Sequence, residues 1–311
     1  MADYFERSLI LHEQLRGKIS VHNKLPIGSR DDLSLAYTPG VARPCEVIAA
    51  DPEQTRKLTI KGNSVAVVTD GSAVLGLGDI GPRAALPVME GKALLFREFA
   101  KIDAWPICLN SQDPAKIIET CRLIEPVFGG INLEDISAPR CFEIEDALQD
   151  LGIPVFHDDQ HGTAIVLLAA LINSAKVTGK KLSELRVVIN GAGAAGSAIA
   201  KLIRGIGVPK SEIQPVADVI VCDSKGAISA GRDDLNSSKQ GMLKYTNSGN
   251  HSGSLQEVLK GADAFIGVSR GNIIGADDVK NMAKGSIILA MANPTPEIMP
   301  DEARKGGAAV I

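Results

Sequence analysis

Four carboxylates stand out because apolar sequence surrounds them. Glu134 and Asp135 lie in "NLEDI", straight after the turn "FGG", and Asp158 and Asp159 lie in "VFHDDQHG". Carboxylate oxygens in such settings call for a cation, and hard oxygen donors favour Mg²⁺ or Mn²⁺ over zinc. His157 and His161 flank the second pair, but the glutamate that a helical zinc protease carries beside its first histidine is missing, which disfavours zinc hydrolysis. Adjacent residues of a regular strand point to opposite faces, so Glu134 and Asp135 can serve one ion only at a strand end or turn. Asp158 and Asp159 precede a helical pattern, and one of them could simply be its N-cap.

Two further motifs carry chemistry. In "PVMEGKALLFREFAKI" helical spacing puts Lys92 on a stripe with Val88, Met89, Leu95, Phe96 and Phe99. Desolvation there would turn an inert ammonium into a usable general base, whereas the plainer alternative is a packed stem with its head in water. In "GAGAAG" the residues Gly191, Gly193 and Gly196, with Ala194 and Ala195 between the last two, fit G-x-G-x-x-G directly after a strand and opening a helix. Glycines at this spacing permit the tight turn and let the backbone approach a pyrophosphate. Asp223 ends the next strand and suits the free ribose hydroxyls of NAD. It lies later than usual because of the insertion "GVPKSEIQPVAD", and Ser224 and Lys225 behind it could receive the 2′-phosphate of NADP. NAD is the favoured coenzyme on this reading.

The elements that must position these groups alternate strand and helix in both halves. "SVAVVTD" (64–70) and "AWPICLN" (104–110) read as buried strands, and the stretch ending in "NLEDI" as a helix followed by a strand. Residues 159–178 form a charge-poor helix that joins two domains; "LRVVIN", "DVIVCD", "ADAFIGVS" and "GSIILAMAN" then give the apolar strands of a parallel, doubly wound sheet. The expected fold is α/β in two domains: residues 1–158 as a catalytic domain for substrate and metal, and residues 159–311 as a Rossmann-type dinucleotide domain. The polar stretch from Asp233 to Ser254 reads as a long surface loop.

With 311 residues, 45% hydrophobic, the chain can fill two cores. Thirty-three basic and 37 acidic residues, interspersed, leave no footprint for nucleic acid or an anionic membrane. Five scattered cysteines without a C-x-x-C pair suit a reducing cytoplasm, and the apolar run "TAIVLLAALI" is about half a membrane span.

Taken in order, "LAYTPGVA", "VTDGSAVLGLGDIG", "PVMEGKALLF", "GGINLEDI", "PVFHDDQHGTA", "GAGAAG" and "ANPTPEI" resemble the short bacterial form of malic enzyme across nearly the whole chain. The resemblance implies oxidative decarboxylation of (S)-malate to pyruvate and CO₂ with NAD or NADP and Mg²⁺ or Mn²⁺, in a homodimer or larger homo-oligomer. It implies Tyr37 as proton donor, Lys92 as general base, and Glu134, Asp135 and Asp159 as metal ligands. Asp158 would support Lys92 and the metal shell, and Asn293 would lie by the nicotinamide and substrate. Two features depart from the family. Ser72 and Ala73 stand where larger members carry an arginine for a substrate carboxylate, and the chain stops at "GGAAVI", where the family continues. Rival readings are a malolactic enzyme, separated by net NADH production and expected of the longer family branch; an amino-acid dehydrogenase, separated by EDTA sensitivity; and a non-catalytic dinucleotide sensor.

Overall fold

The computed structural model describes residues 4–74, 77–209 and 213–311. The chain divides into two compact units: Met1–Ile136 with Glu143–Phe156, and Ser137–Phe142 with His157–Ile311. Three residues of the insertion that delays Asp223, 210–212, lie outside the described residues, as do residues 75 and 76 of the "TDG" loop.

The first unit is built on a sheet of order β2-β1-β3-β4, with β1 Ser64–Thr69, β2 Asp103–Cys108, β3 Gly130–Leu133 and β4 Val155–His157. β1 runs parallel to both β2 and β3, pairing Val68 with Ile107 on one side and Leu133 on the other. Both faces of β1 are covered, which is why its sequence is apolar without alternation. The helix Gly81–Leu95 buries Ala85, Met89 and Ala93, a spacing that gives a single face. Before β1 the chain behaves differently: the helices Tyr4–Leu15, Arg30–Ala36 and Ala42–Ala50 bury no residue.

The second unit carries a sheet of order β7-β6-β5-β8-β9, with β5 Arg186–Asn190, β6 Asp218–Asp223, β7 Gly226–Ala227, β8 Ala264–Gly267 and β9 Ile287–Ala290. All neighbours are parallel except the short edge strand β7. Alternate residues feed two cores: Val187 and Ile189 of β5 join one, and Val188 the other. The strand order reverses between β5 and β8, where a doubly wound sheet opens its binding crevice.

The helix Asp158–Thr178 runs for 21 residues, long enough and apolar enough to cross a membrane by those measures alone. Its apolar run is thus longer than the sequence suggested, but Leu167, Leu171 and Ala175 pack with Ile199, Ala200 and Ile203 in the core. One expectation fails: Asp233–Ser254 is not a surface loop. It contains the helix Ser237–Met242, capped by the Asn236 side chain, and buries Leu235, Met242, Thr246 and Asn247. Four inward residues are enough to anchor a segment whose other side chains are polar.

Candidate functional site

At the end of β3 the backbone answers the stereochemical problem posed by adjacent carboxylates. Glu134 still donates its amide to Val68 O, 2.9 Å away, but Asp135 turns into the left-handed region with φ 54° and accepts the Ala73 amide at 2.9 Å. That conformation is costly for a residue with a side chain and is tolerated best by Asp and Asn. It breaks the strand's alternation, so that both carboxylates are buried at one strand end. The Glu134 carboxylate is held on two sides: Asn132 Nδ2 donates to Oε2 at 2.8 Å, and Lys92 Nζ lies 2.9 Å from Oε1.

Lys92 departs from the apolar pocket expected of it. Met89 is buried, but Leu95 is half exposed and Phe99 is 85% exposed, so the stripe is not a continuous core. Lys92 sits at the edge of the buried face and is fixed by a carboxylate rather than by hydrophobic neighbours. Two residues back, Glu90 accepts the Lys18 amide at 2.9 Å while Lys18 Nζ donates to Pro87 O at 2.6 Å, tying the N-terminal arm to this helix. Tyr37 caps the helix Arg30–Ala36 within that arm and is 68% exposed.

In the second unit neither aspartate of "HDDQ" is the N-cap. His157, fully buried, takes that place, and Asp158 and Asp159 follow in the first turn, where negative charge suits the helix dipole. Asp158 folds back over Gly162, where a Cβ would collide with its Oδ1. Asp159 Oδ2 lies 3.7 Å from His157 Nε2.

The glycine loop forms as its spacing requires. Gly191 has φ 126° and packs on Val268 O, Gly196 leaves no room for a Cβ against Gly191 O, and Gly193 is the N-cap of the helix Ala194–Ile203, with open space before it. A cavity of about 940 Å³ opens there, lined by Gly191 and Gly193, by Asp223, Ser224 and Lys225, and by Lys239 from the segment taken for a loop. Its size suits a dinucleotide. Asn293 of "ANPT" is exposed beyond the end of β9 and is not part of this lining.

Asp223 is where the structure changes the reading most. Its oxygens are already engaged: Oδ1 by Arg232 Nη1 at 2.8 Å and the Lys225 amide at 2.9 Å, and Oδ2 by Arg232 Nη2 at 3.0 Å and Lys239 Nζ at 2.6 Å. Burial pushes this carboxyl up, but the hydrogen bonds from Arg232 and Lys239 outweigh it and hold the group down at about 2. Lys225 is drawn to Asp234 at 2.7 Å, and Asp234 in turn is held well below the usual carboxylate range by hydrogen bonds from Arg232 and Lys225. The lone acid expected to meet a ribose is therefore part of a five-residue charge network. Sequence reasoning missed Arg232 and Lys239; the capping pattern at Asn236 was the signal that their segment is folded.

A sequence profile of the malic enzyme N-terminal domain matches residues 16–149, and one of the malic enzyme NAD binding domain matches residues 160–305. The chain belongs to the malic enzyme family. Malic enzymes decarboxylate malate to pyruvate with NAD or NADP, and a divalent metal is general among them. The bifunctional malic/malolactic enzyme of Bacillus subtilis (strain 168) is 54% identical over 98% of this chain and 73% of its own length. The NADP-dependent malic enzyme of Escherichia coli (strain K12) is 46% identical over 98% of this chain and 40% of its own length. The crystal structure of an NAD-dependent malic enzyme from Thermotoga maritima superposes with a TM-score of 0.92 at 49% identity, covering 97% of this chain and 79% of that one. The malic enzyme fold thus carries an α/β unit on each side of the division, as the alternating strands and helices predict.

Proposed function

We propose that this malic enzyme chain oxidatively decarboxylates (S)-malate to pyruvate and CO₂, with Lys92 as the general base and Tyr37 as the proton donor. The observation that carries the reading is the 2.9 Å contact between Lys92 and Glu134 at the buried end of β3, which brings a base and a metal-type carboxylate into one cluster. The buried donors Glu134 and Asp135 are hard oxygens, which fit Mg²⁺ or Mn²⁺; Asp159 supplies the third carboxylate. When bound, the ion would supply Lewis-acid stabilisation of negative charge on the malate C2 oxygen, and the nicotinamide would accept the hydride. Lys92 takes the C2 hydroxyl proton as hydride leaves C2, and Tyr37 returns a proton to C3 after CO₂ departs. Asp158 supports the base and the ligand shell from the helix first turn, and Asn293 contacts the nicotinamide end.

For the coenzyme, a like-charge clash between Asp223 and a 2′-phosphate is weakened by the two cations that hold the acid, so NAD is favoured while NADP is admitted through Lys239. A homodimer or larger homo-oligomer is supported by the N-terminal arm, whose Phe5, Leu9, Ile10, Leu15 and Leu35 are exposed on helices that bury nothing, and a cytoplasmic location by five scattered cysteines without a C-x-x-C pair. Sedimentation of the chain with and without residues 1–15 checks this.

The test of the main reading is an initial-rate assay with malate, Mn²⁺ and either NAD or NADP, following pyruvate and reduced coenzyme together. Equal yields of both support it. Lactate without net NADH would establish the malolactic reading, since the Bacillus subtilis relative is a bifunctional malic/malolactic enzyme. Activity untouched by EDTA would instead favour a metal-independent dehydrogenase.

A further inference from the structure

Glu297, in "ANPTPEI", is fully buried, and among the described residues its carboxylate is hydrogen-bonded by two backbone amides. Oε1 accepts from Ser269 N at 2.8 Å and Oε2 from Ala292 N at 3.0 Å. Those amides belong to the loops that leave β8 and β9, the two strands beyond the switch point. Around the carboxylate the loops interlock: Asn272 N donates to Pro296 O at 3.0 Å and Ile273 N to Glu297 O at 2.9 Å. A Cβ on Gly267 would collide with the Glu297 carboxyl, so β8 ends in glycine to admit it. The first loop lines the coenzyme cavity through Ser269, Arg270 and Asn272; the second presents Asn293, one residue past an anchored amide.

Burying a carboxylate against backbone amides alone is expensive and is not needed merely to close a loop. What a carboxylate offers is two acceptor oxygens and no donor, so it can grip two N–H groups at once; an amide side chain would turn an N–H toward one of them. We propose that Glu297 is a positioning residue for the coenzyme: it fixes the β8 and β9 loops relative to one another and so sets Asn293 against the nicotinamide end of the dinucleotide. The proposal rests on the assignment of Asn293 above.

Two ligands separate this role from a general structural one. ADP-ribose has the adenosine and pyrophosphate but no nicotinamide, whereas NADH has both. In the full chain with Mn²⁺, Glu297→Gln should weaken NADH binding by about tenfold or more, the scale of one lost charge-assisted hydrogen bond. Binding of ADP-ribose should stay within about twofold, the scale of changes too small to assign to a lost hydrogen bond. Gly267→Ala, which displaces the carboxyl, should reproduce that selective loss, and so should Asn293→Ala. If Asn293→Ala leaves NADH binding unchanged, the assignment of Asn293 is wrong. If Asn293→Ala is impaired but Glu297→Gln binds NADH as the parent does, the positioning role is wrong. Equal loss of both ligands, or failure of both Glu297→Gln and Gly267→Ala to fold, overturns the proposal and leaves the carboxylate a part of the fold alone.

Discussion

The strand end where Glu134 meets Lys92 and the crevice that holds Asp223 both set carboxylates against cations, by different means. At the end of β3 two adjacent carboxylates are buried, one of them in a left-handed conformation, and Glu134 meets Asn132 and Lys92. At the end of β6 one carboxylate is surrounded by Arg232, Lys239 and a backbone amide, and the cavity beside it joins the glycine loop with the cations Lys225, Lys239 and Arg270. On the proposed reading, two carboxylates side by side at a strand end offer a divalent ion hard oxygen donors from one short stretch of chain. A site that binds a phosphate-bearing coenzyme gains nothing from excess negative charge and neutralises it internally.

The comparison is broken most forcefully at Lys92. Lys92→Ala should lower turnover by about 10² to 10⁴, the loss expected for a general base. The ion pair adds an expectation that the sequence did not offer: without the ammonium, buried Glu134 loses a partner, so the variant should melt below the parent in EDTA and recover much of the difference in Mn²⁺. Turnover within a few-fold of the parent would remove Lys92 from the mechanism. Next in size, Asp135→Asn should weaken Mn²⁺ by about 10- to 100-fold or more, the range already seen when only a supporting group of a metal site is lost. It should leave NADH binding intact, because the glycine loop belongs to the other unit. Equal Mn²⁺ shifts in the melting temperatures of parent and variant would show that the turn at Asp135 is structural.

The crevice is probed by smaller effects. Lys239→Ala should reduce kcat/KM for NADP by about tenfold, the scale of one charge-assisted contact to phosphate, while NAD changes little. Equal losses for both coenzymes would mean that Lys239 only braces Asp223. Asp223→Ser should raise the NADP/NAD ratio, and a parent already preferring NADP would overturn the ribose role of the acid. The smallest expected effect concerns pH. The Asp223 carboxyl is lowered in the folded state from 3.8 to about 2, so its stabilisation is complete above pH 3.8 and disappears as pH falls through about 2. After discounting for solvent screening this is on the order of 1 kcal/mol, read as the difference in unfolding free energy between parent and Asp223→Asn at pH 5 and pH 2.5.

Much of this molecule is legible along the chain because it is governed by local rules. The strand–glycine–helix sequence at 186–203 forms as written, since a tight turn of positive φ and a close helix approach admit only glycine at Gly191 and Gly196. The strands β1, β5, β6 and β8 fall within the runs that mark them, because burial on both faces keeps their central residues apolar. The need for a turn at Glu134–Asp135 also follows from the alternation of side chains along a strand.

The tertiary structure alone decided which charges meet. Lys92 and Glu134 are 42 residues apart, and periodicity, which placed the lysine on an apolar stripe, says nothing about what a neighbouring strand presents to it. Lys239 lies in the polar stretch whose composition reads as loop and Arg232 just before it, yet Leu235 and Met242 are buried and both cations meet Asp223. Composition reports the average of a segment, whereas two or three inward residues fix its path. Glu297 was hidden for the same reason: nothing in "PTPEI" distinguishes a surface glutamate from one that grips two loops until β8 and β9 are laid side by side.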